Sequence, residues 1–160
     1  IKPSAQPTAT DKVTPVNNFL HSLFSLVDVF FNPKLVSPQS NTYPYRAYIE
    51  NTLNYESTAK NTHLTAGLYY QQSPCALNNI SKSIASGNAG LSASSMKDGR
   101  ILDFSGPLRC DVFNQEKYLL NGVDMHLRLD SSKDNFCLMQ SGTGYYKVHI
   151  TEATLFVRKV

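Results

Sequence analysis

Between Val13 and Val36 the spacing of apolar residues changes from helical to alternating, and no other stretch constrains the fold as much. Phe19, Leu20, Leu23 and Phe24 recur at helical intervals, with Pro15 and Asn17 ahead of them as a helix start, which predicts a short amphipathic helix. From Leu26 onward Val27, Val29 and Phe31 alternate with Asp28 and Phe30, predicting a strand. Asn32-Pro33-Lys34 then turns the chain, and Leu35-Val36 resumes as a short return strand. Residues 1–12, with two prolines among small polar residues, read as a lead-in loop, leaving residues 13–160 as one domain.

Further along, Tyr45, Tyr48, Ile49 and Leu53 stand at helical spacing behind Pro44, predicting a second helix, and a third is expected across residues 57–70. Residues 71–99 are rich in Ser, Asn, Ala and Gly and read as a long surface loop. Strands are predicted at 100–104, 108–113, 123–129 and 136–139. In the third of these Val123, Met125, Leu127 and Leu129 share one face, while Asp124, His126, Arg128 and Asp130 share the other. Residues 145–160 alternate throughout and predict a long final strand bulged at Glu152. Many short strands with a few helices predict a mainly β fold, an antiparallel jelly-roll sandwich with short helical insertions.

The chain holds 160 residues, enough for one substantial core, and no apolar stretch is long enough to span a bilayer. Its formal charge is +3 with the basic residues scattered, so nucleic-acid binding is not expected. Cys75, Cys110 and Cys137 are widely spaced, match no zinc pattern and read as reduced thiols, which makes the acceptor pattern Asn79-Ile80-Ser81 uninformative.

Catalytic signals are weak. His21, His63, His126 and His149 lie far apart without partners at metal-ligand spacing; His126, between Asp124 and Asp130 on one strand face, comes nearest to a cation site. Ser57-Thr-Ala-Lys60 and Ser94-Ser-Met-Lys97 match S-x-x-K, but its K-T-G and S-D-N partners are missing. No Gly-rich phosphate loop occurs, and Gly142-Thr-Gly144 reads as a turn. No catalytic, metal or cofactor site is therefore expected, and the chain does not read as an enzyme. Nine tyrosines and no tryptophan direct attention to contact surfaces, since tyrosine joins large area to a polar tip. The candidate interface residues are Tyr43, Tyr45, Tyr48, Tyr69, Tyr70 and Tyr145.

Four segments, Pro15-Val-Asn-Asn-Phe-Leu-His-Ser-Leu-Phe-Ser-Leu-Val-Asp-Val29, Asn41-Thr-Tyr-Pro-Tyr-Arg-Ala-Tyr-Ile-Glu50, Gln115-Glu-Lys-Tyr-Leu-Leu-Asn-Gly-Val-Asp124 and Ser132-Lys-Asp-Asn-Phe-Cys-Leu-Met139, resemble the capsid proteins of Polinton (Maverick) elements and adintoviruses. The resemblance runs over residues 13–160 and is weakest in 71–99. It implies a hexon-like major capsid protein: a non-catalytic virion component assembled inside the host cell, whose partners are copies of itself and other capsid subunits in a trimeric capsomer. Ile1-Lys2 looks like the tail of a preceding strand, so the resemblance implies that the chain is about one jelly roll of a larger subunit. A jelly-roll module binding a carbohydrate or protein ligand, as a host-domesticated relative, is the alternative expectation.

Overall fold

The computed structural model describes residues 2–3, 12–37, 40–71, 101–141 and 145–158. Its strands are β1 (Lys2–Pro3), β2 (Lys12–Pro15), β3 (Phe24–Phe31), β4 (Lys34–Leu35), β5 (Met125–Ser131), β6 (Leu138–Ser141) and β7 (Tyr146–Lys147). The helices are α1 (Phe19–Ser22), α2 (Tyr43–Leu53), α3 (Ser57–Lys60) and α4 (Asp134–Cys137), with 3-10 turns at His63–Gly67 and Asp111–Asn114. All strand pairs are antiparallel, and those joining distant parts of the chain are nested: β1 pairs β7, β2 pairs β6 and β3 pairs β5. The result is a small β-rich fold whose two halves run alongside each other as a broken ribbon.

The central ladder is β3 on β5, with Val27 opposite Leu129 and Val29 opposite Leu127; β4 covers the other edge of β3. The turn into β4 has the expected chemistry. Asn32 holds φ 52, a left-handed position asparagine tolerates, and Pro33 follows with its fixed negative φ, the sign pattern of a primed hairpin turn. Asn32 also binds the chain entering β5: its N–H donates to the Asp124 carbonyl at 2.8 Å, and its Oδ1 accepts from the Asp124 N–H at 3.2 Å.

Two apolar clusters form the interior. One gathers Phe19, Leu23, Leu68, Cys137 and Leu138, the other Val27, Val29, Tyr43 and Cys110, and Phe24 packs against both. Phe19 meets Phe104 edge-on at 5.4 Å, the preferred geometry for two rings.

The structure departs from several expectations. The first helix is a single turn, because Phe24 joins β3 and ladder pairing with β5 outweighs continued helix. Pro15, expected at a helix start, closes β2 opposite Leu138, and the segment expected as a lead-in loop contributes Lys2–Pro3 and Lys12 to strands. Asp28, which alternates with the apolar residues of β3, is nevertheless 1% exposed, taking the Ser37 hydroxyl at 3.4 Å. Residues 57–70 break into α3 and a 3-10 turn that ends at Leu68 with φ 56. Residues 101–104 and 108–110 form no strand, and 111–114 are a 3-10 turn, since Arg109 and Cys110 fold inward beside α2 instead of finding a ladder. The strand expected at 136–139 starts at Leu138, after the turn of α4, where Asp134 Oδ1 accepts the Val148 N–H at 2.9 Å. Of the long final strand only Tyr146–Lys147 pairs; residues 148–158 are without regular structure. The expected loop at 72–99, with Cys75, Asn79 and the second S-x-x-K match, lies outside the described residues, as does Gly142-Thr-Gly144.

Candidate functional site

Helix α2 is amphipathic in the reverse of the expected sense. Its inward face carries Tyr43, Pro44, Ala47 and Asn51, whereas the apolar stripe that predicted it, Tyr45, Tyr48, Ile49 and Leu53, faces outward. Tyr45 is 58% and Leu53 76% exposed. Phe136 extends this surface from α4, its ring edge-on to Tyr45 at 5.7 Å.

The reversal follows from polar bonds beneath the helix. The Tyr43 hydroxyl lies 2.9 Å from His21 Nδ1 and accepts the Arg109 backbone N–H at 3.4 Å. Asn51 donates from Nδ2 to Asn18 Oδ1 at 3.0 Å, and Asn18 itself sits at φ 60 with its N–H on the Leu68 carbonyl. The Thr52 hydroxyl meets the Tyr69 hydroxyl at 3.1 Å. On the flank, Arg46 pairs with Glu50 at 2.8 Å and, through two nitrogens, with Asp111. Turning the apolar stripe inward would leave the buried groups among them, on His21, Asn18, Tyr43 and Asn51, unmatched, each costing about 1–3 kcal/mol.

Burial and contacts tune the groups of this cluster. Burial, with Arg109 adding repulsion, lowers the His21 pKa to about 4, so the ring is neutral near pH 7. Burial pushes the Tyr43 phenol up to about 12. The Arg46 guanidinium beside Asp111 holds that carboxyl below its ordinary range. Arg109, 5% exposed, donates from Nη1 to the Tyr55 hydroxyl at 2.7 Å and stands 4.9 Å over the same ring, while Nε and Nη2 have no partner. Its partners lie 54 and 66 residues away in sequence, a separation that no spacing rule reveals.

Tyr43, Arg109 and Cys110 line a cleft with Ser37, Thr42 and Arg46, of about 60 Å³. Small-molecule sites typically enclose about 300–1,000 Å³. Among the described residues no group of three or more His, Cys, Asp or Glu could hold a metal ion. His126 is exposed and 5.9 Å from the Phe30 ring, and Asp130 pairs with Arg128 at 2.9 Å. Lys60 of the first S-x-x-K match donates to the Thr52 carbonyl at 2.7 Å.

The six candidate tyrosines thus divide. Tyr43 and Tyr69 are buried in the chain's own interior, a correction to their place in an interface, because their hydroxyls serve the bonds under α2. Tyr70 is half-buried against the first cluster. Tyr45, Tyr48 and Tyr145 present exposed surface.

No family profile and no solved structure matches the chain. It is similar to the uncharacterized protein F54H12.2 of Caenorhabditis elegans, 24% identical over 151 residues, which cover 91% of this chain and 33% of that protein. The chain therefore spans about a third of the length of this curated relative. Among the described residues no helix is long and apolar enough to cross a membrane.

Proposed function

We propose that this chain is a structural assembly subunit, a jelly-roll capsid component of the kind its four motifs resemble, acting in the virion without catalysis. The observation that carries this reading is α2, whose Tyr43 and Asn51 side chains bond inward while Tyr45, Tyr48, Ile49 and Leu53 face solvent beside Phe136. Clustered apolar surface of this kind is costly to leave in water and marks contact sites. A second copy, or a neighbouring subunit, is the occupant that fits. The nested pairing of β1 with β7, β2 with β6 and β3 with β5 is also the connectivity from which a jelly roll is rolled. The small cleft offers little to a ligand-binding module.

Light scattering of the purified chain across concentrations, followed by electron microscopy, tests the proposal. Trimers or closed shells are the expected result. A monomer at every concentration overturns it and turns attention to the ligand-binding alternative.

A further inference from the structure

Two features of this chain complement each other. The first is residues 150–158, which read as a strand yet make no backbone hydrogen bond among the described residues and expose Ile150, Leu155, Phe156 and Val157, Phe156 by 91%. Among the described residues their hydrogen bonding is the Thr154 hydroxyl on Glu152 at 3.4 Å. The second is β5, which among the described strands has a hydrogen-bonded neighbour, β3, on one side only. At seven residues it is the longest edge strand among those described. An unpaired edge and an unpaired strand are each unstable in isolation, and each is what the other lacks.

We infer that residues 150–158 of one copy add to the free edge of β5 in a second copy, antiparallel, with Glu152 opposite Arg128. Charge and face together select this register. It sets Leu155 opposite Met125 and Ala153 opposite Leu127, so apolar residues continue the face on which Met125 and Leu127 pack against the second cluster. On the other face Glu152 meets Arg128, which now bonds Asp130 within its own strand. Shifting by two residues places Glu152 against Asp130 in one direction and against His126, away from the Arg128 guanidinium, in the other, and a shift by one turns Leu155 away from the apolar face. The contact is heterologous, since donor segment and acceptor edge are different surfaces, so it closes only as a ring or a reciprocal exchange. This inference rests on the assembly reading and names one contact within it.

Thr154→Pro tests it, because that substitution spoils strand pairing in a segment that has no backbone bonds to lose among the described residues. In analytical ultracentrifugation the unaltered chain is expected to self-associate, and Thr154→Pro to raise the dissociation constant at least tenfold with unchanged circular dichroism. Arg128→Glu and Glu152→Arg each place like charges opposite one another and should weaken association up to about fivefold, while the double variant pairs opposite charges at every contact and restores it. Self-association untouched by Thr154→Pro overturns the strand addition and leaves the assembly reading standing. A chain that stays monomeric overturns both. A double charge variant that associates no better than the single ones overturns the register.

Discussion

The Tyr43 hydroxyl, 2.9 Å from His21 Nδ1, ties the start of α2 to α1 and, through the Arg109 N–H, to a third segment. One oxygen therefore aligns three parts of the chain that share no ladder. Replacing Tyr43 with Phe keeps the ring and strands the imidazole and the amide. The expected loss is about 1–3 kcal/mol, read as a lower urea midpoint with an unchanged slope.

Neutral burial of His21 makes stability depend on pH. Its folded pKa, about 4, lies below the ordinary 6.5, so proton binding favours the unfolded chain. Its contribution is complete above about pH 6.5 and is lost as pH falls towards 4, by about 3 kcal/mol in all. Thermal melts between pH 7 and 4.5 should show this slope, and it should flatten in His21→Gln. A His21 ring that titrates near 6.5 by NMR in the folded protein would contradict the buried placement.

Because the outer face of α2 contributes little to the interior, charges placed there should spare the fold. The double variant Ile49→Glu, Leu53→Glu is expected to melt within about 0.5 kcal/mol of the unaltered chain. Its self-association, by light scattering, should fall at least tenfold. A large stability loss without a change in association would mean that these side chains pack within the chain.

Cys110 and Cys137 are buried free thiols, and burial raises both, Cys137 to about 11. The Cys137 thiol also contacts the Ser22 carbonyl at 3.1 Å. In a Cys75→Ser background neither should react with a thiol reagent at pH 7.5 on the timescale of minutes, and both should react in denaturant. Rapid labelling of the folded protein would place at least one of them at the surface.

Much of the ladder was legible in the sequence because local pattern and tertiary need agree there: β3, its Asn32-Pro33 turn and the half-buried Met125 and Leu127 follow from alternation and turn chemistry. α2 was legible as a helix but not in its orientation. Hydrophobic spacing assumes that apolar residues go inside, whereas here Tyr43 and Asn51 are pulled in by His21, Arg109 and Asn18, which lie far away in sequence. Asp28 escaped for the same reason, since its burial depends on Ser37 reaching back across the β3–β4 turn. Residues 148–158 show the converse, a strand pattern without a neighbouring strand among the described residues, which no reading of one segment can detect.

Phe24 stands at the irregularity in the β3–β5 register and touches both apolar clusters. The two are therefore not separate cores. Loosening either removes support from that ring and so from the other, which makes melting of the described fold a single cooperative event. Phe24→Ala is the place where that cooperativity would divide.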